Sequence, residues 1–270
     1  MKKTLLLQLI FCTGISAFAQ TDPIQKVRDS VLVEGKRLYR SEMASWHGTD
    51  LFLEKFKERE KIGGYFSYED AAGVACIFFS NDESPKVIGT MRFDTAFDLS
   101  SAKTDLKVRD FTGLEKQYYQ LRQAAYQALQ GDTMIRQYKN TNLNLIPLIY
   151  GDKRKVYIVT ATTRNNLLLF GNDYLFEFDA TFKVSGKRRL HSSLIESPYG
   201  QKDKDGNQVV GAMHSHLPEY GDVMTPTDLC ALILYQRFTG WEQYMVVGAK
   251  YMSIWKADDN SLVVIPSPVK

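Results

Sequence analysis

The chain has 270 residues, with 34 Lys and Arg against 31 Asp and Glu, four His, three Cys and a formal net charge of +3. A balance this even excludes a basic nucleic-acid-binding tail or an acidic solvating chain, and no nucleic-acid partner is expected. A hydrophobic share of 44% over this length suffices for one large domain or two small ones, each with its own core.

The first residues predict export. Lys2 and Lys3 form a positive start, Leu5 to Phe18 is apolar for the length of a signal-peptide core, and Ala17-Phe18-Ala19 is a small-x-small cleavage site before Gln20. Phe11 precedes Cys12 where a lipoprotein signal has a small residue, so a lipid anchor is not expected. Without residues 1–19 the balance becomes 32 basic against 31 acidic groups. No later run approaches the ~18 apolar residues of a transmembrane segment. The expected location is periplasmic or extracellular. Cys76 and Cys230 both sit in apolar surroundings and read as buried free thiols rather than a disulfide scaffold.

Asp22-Pro23 is a helix start, an N-cap acid followed by proline. Ile24, Val27, Val31, Leu38 and Met43 continue it, with a break expected near Gly35, and a second short helix is expected from Thr49-Asp50 through Phe56. Runs at 65–68, 74–79 and 87–93 predict a three-stranded antiparallel meander. Thr112-Gly113-Leu114-Glu115 is a capping box, and Leu114, Tyr118, Leu121, Ala125 and Leu129 keep one face of a helix that Gly131 ends.

The polar stretch from Asp132 to Asn144 marks a soft boundary. Beyond it strands are expected at 156–160, 167–170, 174–182, 190–195 and 209–213, and Lys187-Arg188-Arg189 reads as a solvated hairpin turn. The polar run 202–207 contains Asp205-Gly206, a dipeptide that tight turns prefer. A helix follows at 226–238, then strands at 244–247, 251–255 and 262–265. The fold class is therefore α+β: a helical and meander amino-terminal half of unknown role (20–140) and a mixed or antiparallel sheet with one helix (141–270).

The chemistry is concentrated in Gly211 to Asp228. Side chains at i and i+2 of a strand point the same way, so His214 and His216 can aim both imidazoles at one point. Neutral imidazole is a good zinc ligand, and a catalytic zinc keeps three protein ligands and an open position. Asp228, in the first turn of the following helix, is the natural third ligand. Thr225-Pro226-Thr227-Asp228 is equally an ordinary helix start, with an N-cap hydroxyl, proline at N1 and an acid at N3.

His214-Ser215-His216 followed by Thr225-Pro226-Thr227-Asp228 resembles the H-x-H and S/T-x-x-D signature of the JAMM/MPN-type (JAB) zinc metallopeptidases, with the intervening spacing one residue longer and Pro218 displaced by Leu217. The resemblance covers residues 150 to 270. It implies a JAB-like fold for that region, zinc held by His214, His216 and Asp228, Thr225 near the developing oxyanion, and a glutamate on an upstream strand as general base. Glu177, flanked by Phe176 and Phe178, is the first candidate for that base and Glu196 the second. His191 reads as a satisfied strand histidine before a fourth ligand, His47 as structural, and Glu219 and Asp222 as solvated loop acids. The function expected is an exported zinc-dependent hydrolase of peptide or isopeptide bonds acting on a peptide or protein. The alternative is a non-catalytic exported binding or structural module.

Overall fold

A computed structural model describes residues 22–268 of the chain. The expected signal peptide and Cys12 lie outside them. Among the described residues no helix is long and apolar enough to cross a membrane. The fold is α+β, with three α-helices and fourteen strands in four sheets among those residues.

The spine is α1 (Pro23–Lys55), a single helix of 33 residues and so about 50 Å long. The break expected near Gly35 and the separate start at Thr49 are both corrected here. Gly35 and Gly48 are sites of close packing rather than interruptions: a Cβ on Gly35 would lie 2.8 Å from Leu229 Cδ2, and one on Gly48 would lie 2.7 Å from Cys76 Cβ. Thr49 donates its hydroxyl to the Ser45 carbonyl at 2.6 Å, so it bonds back within the helix instead of capping a new one.

The first sheet is the antiparallel order β1 (Ile62–Asp70), β2 (Gly73–Ser80), β3 (Val87–Phe93) and the short β4 (Lys103–Asp105). It carries the expected meander plus one strand. Its inner face packs on the carboxy-terminal part of α1, where the Phe52 and Phe78 rings stack with centroids 3.9 Å apart. Then comes α2 (Gly113–Leu129), whose Thr112–Glu115 capping box is formed as expected.

The second sheet has the order β5–β6–β8–β9, all antiparallel, from β5 (Thr141–Tyr150), β6 (Lys153–Thr162), β8 (Tyr174–Phe178) and β9 (Val184–Arg189). Here β7 (Leu167–Gly171) leaves the sheet to pair with β10 (Leu194–Pro198). Leu121 and Ala125 of α2 pack on Tyr174, Phe176 and Phe178, while Leu175 turns to the opposite side, towards Leu38 of α1. A buried ion pair, Lys155 to Glu34 at 2.7 Å, ties β6 to α1.

Three strand expectations are corrected. The basic cluster at 187–189 is part of β9, not a turn: Lys187 pairs with Asp132 at 2.7 Å and Arg189 donates to the Met134 carbonyl at 2.9 Å, clamping the polar connection onto the strand. The strand expected to run to Phe182 ends at Phe178, because the Asp179 carboxylate accepts from the Thr181 and Lys183 amides and closes a turn. The strand expected from Leu190 starts at Leu194, which leaves His191 in a loop.

The last sheet is β11 (Gly211–Ser215), β12 (Gln243–Val247), β13 (Tyr251–Lys256) and β14 (Ser261–Pro266). β11 and β12 are parallel, joined through α3 (Pro226–Thr239), and the others are antiparallel. Trp255, Tyr244, Leu229 and Val31 share its core, so α1 contributes to the packing of both halves of the chain. Cys76 and Cys230 are free and buried, as expected.

Gly48→Ala is expected to cost about 1–3 kcal/mol in urea unfolding, through overpacking against Cys76, whereas an unpacked helix position would gain about 0.5–1 kcal/mol from the same change. A stabilised variant would show that α1 does not rest on β2 at this residue.

Candidate metal centre

Parallel pairing fixes the first two candidate ligands. His214 lies in β11 opposite Val246, and His216, just past the strand, continues the ladder by donating its amide to the Val247 carbonyl at 2.9 Å. Extended backbone across both residues turns both rings inward, as the i and i+2 spacing requires. Their Nε2 atoms meet at 3.0 Å.

The crossover into α3 brings the acid. Thr225 and Asp228 form a reciprocal capping box, and the Thr225 amide and hydroxyl both donate to Asp228 Oδ2, at 2.9 and 2.8 Å. Helix cap and ligand placement are thus one device: holding Oδ2 at the cap leaves Oδ1 directed at the histidines. Asp228 Oδ1 is buried and accepts no hydrogen bond. It lies 3.1 Å from His191 Nε2 and 3.8 Å from His214 Nε2.

His191 is the residue that sequence reasoning ranked too low. The loop before β10 carries its ring into the cluster, with Nε2 at 2.9 Å from His216 Nε2. Its other nitrogen, Nδ1, is 2.6 Å from Asp173 Oδ1, which fixes Nδ1 as the protonated atom and Nε2 as the one facing the centre. Asp173 follows a constrained turn. Gly171 has φ of +74° and comes so close to the Ser193 carbonyl that a Cβ would stand 2.1 Å from the oxygen. Asn172, at φ 49°, is held by bonds to Arg136, Thr160 and Tyr174. The Leu190 amide donates to the Asp173 carbonyl at 3.0 Å and brings the two loops together. Thr227 bonds the other Asp173 oxygen, and the Tyr244 hydroxyl sits 3.0 Å from His214 Nδ1. Phe170-Gly171-Asn172-Asp173 was the available sequence cue: glycine and asparagine in a turn immediately before an acid that opens a buried strand.

His191, His214, His216 and Asp228 therefore form a buried group with one potential ligand atom each, all within 4.8 Å of one another. The donor chemistry fits a divalent metal. Tetrahedral ligands at about 2.0–2.1 Å from zinc stand about 3.3 Å apart, which is the scale of the separations here. Three imidazoles and a carboxylate are also the mixed N/O set that suits zinc.

Without a metal the electrostatics are split. Burial opposes a charge on His191, but the Asp173 and Asp228 carboxylates outweigh it and raise its pKa well above the ordinary histidine value. Burial pushes His214 down to about 4, assisted by its two histidine neighbours. Burial would raise Asp228, but His191 and His214 hold it well below the carboxylate range.

The other expected residues go elsewhere. Glu177 shares the face of β8 with Leu175, and four residues of strand place it about 13 Å along the chain from Asp173. It stands opposite Lys155 and Gly186 and does not join the cluster. Glu196 is exposed and pairs with Arg164 at 2.7 Å. The Thr225 hydroxyl is engaged by Asp228 and Thr227. His47 packs between Trp46 and Phe93. Asp222 accepts from the Lys250 amide at 3.1 Å, and Glu219 is exposed.

No known protein family, curated protein or solved structure matches this chain. The cluster itself therefore carries the functional argument. Asp173→Asn is expected to weaken metal binding by about 10–100-fold in competition with a chromophoric chelator, while Glu177→Gln leaves it within about twofold. Equal losses from the two substitutions would contradict the placement of both residues.

Proposed function

We propose that this chain is a zinc-dependent hydrolase of peptide or isopeptide bonds, exported through its amino-terminal signal, with a centre organised like that of the JAMM-type metallopeptidases it resembles. The observation that carries the reading is the convergence of three imidazole Nε2 atoms and Asp228 Oδ1. The cluster also adjoins a cavity, since Asp173, Thr227 and Asp228 all line its wall.

In this reading His214, His216 and Asp228 hold the metal, and Thr225 keeps Asp228 in place. His191 takes the role first expected of a glutamate. Asp173 holds its Nδ1 proton, and once a metal takes up the Asp228 charge that otherwise favours the protonated ring, Nε2 is the atom that would accept a proton from water and return it to the leaving amine. The carboxylate partner makes the protonated imidazole that results less costly to form. When bound, zinc supplies the Lewis acidity that makes water nucleophilic near neutral pH.

A second reading has its own observation. The four side chains are only 1–3% exposed, and a complete set of four protein ligands is what structural zinc sites have. His191 is then a ligand, and the chain is a non-catalytic exported module that the metal stabilises.

One variant separates the two. The purified protein is expected to hold about one zinc per chain after repletion, and the His214→Ala/His216→Ala double variant none. For a hydrolase, His191→Ala keeps its zinc and loses turnover of a fluorogenic peptide and isopeptide panel by about 10²–10⁴-fold. For a closed site, His191→Ala releases zinc and lowers the unfolding temperature. Wild-type protein that takes up no zinc would sink both readings.

Acidification supplies a further check. Metal binding requires neutral imidazoles and an ionised carboxylate, so zinc should be retained near pH 7 and released as the pH falls through about 6 to 4, followed by dialysis and metal analysis. Retention of zinc at about pH 3 would exclude a histidine-held site.

A further inference from the structure

Beside the centre lies a cavity of about 330 Å³, bounded by α1, β1, β5–β7 and α3. Leu168, Phe170, Leu234 and Tyr235 supply an apolar wall, and the half-exposed Trp46 and the exposed Asp50 stand on the α1 side of it. Its charged lining is uniformly acidic. Glu42, Asp50, Asp173 and Asp228 border it, and no Lys or Arg does.

These carboxylates are not equivalent. Asp173 and Asp228 are answered by His191, Thr225 and Thr227, and Asp50 is exposed. Glu42, on the inner side of α1, is answered only by Asn144 Nδ2, which donates to Oε2 at 3.2 Å. The groups near it from the surrounding elements are Tyr65, Cys76, Cys230 and Tyr235, none of them cationic. Glu42 is half-buried and faces the cavity without a counter-charge, and this burial raises its carboxyl to about 7. The neutral polar groups nearby are already occupied: Thr160 donates to the Asn172 carbonyl, and Ser45 bonds Ser67. Charge complementarity in this cavity is completed by a ligand that brings a cation and hydrocarbon together.

We propose that this cavity binds a small primary amine with an apolar body, its ammonium against Glu42 and the Asn144 amide oxygen and its hydrocarbon against Phe170, Leu234 and Tyr235. An ammonium donates up to three hydrogen bonds, and Glu42 Oε1, which has no partner among the described residues, and Asn144 Oδ1 can accept two of them. An alcohol would leave Glu42 without a counter-charge, and a carboxylate would add a second negative charge. The site does not depend on the zinc reading, because no metal ligand is asked to touch the amine.

The test is calorimetric titration of the full mature chain with phenethylamine, phenethyl alcohol and hydrocinnamate, in EDTA and again after zinc repletion. The amine is expected to bind about tenfold or more tighter than the other two in both states. Its affinity should rise from about pH 6 to about pH 8, as Glu42 ionises while the amine stays protonated. Glu42→Gln should lower amine affinity about tenfold and leave phenethyl alcohol within about twofold. Ala231→Phe, which places a ring in the cavity from α3, should abolish binding of the amine and the alcohol alike while thermal unfolding stays cooperative. The proposal is overturned if the alcohol or the carboxylate binds as tightly as the amine, if no amine binding is detected, or if Ala231→Phe binds like the wild type. Loss of zinc uptake with amine binding intact would count against the metal centre and leave this site standing.

Discussion

Three imidazole nitrogens and a carboxylate oxygen held a few ångströms apart, with almost no solvent contact, cannot all remain acceptors of charge-free contacts. Either protons or a metal cation must sit among them. The fold supplies the first remedy in part: Asp173 draws a proton onto His191 Nδ1, and two carboxylates favour the charged ring. It leaves Asp228 Oδ1 and His216 Nδ1 buried without hydrogen-bond partners. Desolvation of unsatisfied polar groups costs about 1–3 kcal/mol each, and a protein keeps such a cluster together only where something else compensates. A divalent cation at the centre would do so for the inward-facing atoms.

The rest of the structure serves that geometry through rigid connections. The parallel β11–β12 pairing requires a crossover, and α3 is that crossover, so the same topology that places His214 and His216 returns the chain to present Asp228. The cap that starts α3 also selects which oxygen of Asp228 faces inward. The turn at Gly171–Asp173 and the loop at His191 are drawn together by backbone bonds from opposite directions. Behind them α1 reaches both halves of the chain, and its small residues allow the close approach that leaves the centre and its adjoining cavity in fixed register.

The cavity has a different electrostatic character from the centre. In the cluster each carboxylate is matched by imidazoles and hydroxyl donors. In the cavity, Glu42 faces aromatic, thiol and amide groups without a cation. Both neighbouring sites would favour a cation, a metal among three histidines and one acid and an organic cation at Glu42, and the first turn of α3, with Thr227 and Asp228, forms the wall that the cluster and the cavity share.

Local sequence determined a good deal. The His214 and His216 pair, the Thr225–Asp228 helix start, the meander and the capped α2 were legible because each depends on strand alternation, capping or helical period, which act within a few residues. The Gly35 break was misjudged for the same reason: a glycine in a helical pattern looks like a weak point until the Leu229 side chain beside it is seen. Glu177 lies outside the cluster, because aromatic flanks mark a buried strand but not which end of it meets the histidines. His191 and Asp173 are 18 residues apart and lie in separate loops, and their partnership follows from the β7–β10 pairing and the turn at Gly171. Sequence set the residue types of the His214–Asp228 part of the cluster and their local orientation, since those are properties of neighbouring residues. Tertiary structure alone decided the third histidine, its orienting acid and the acidic cavity, because each is made by contacts between segments far apart in the chain.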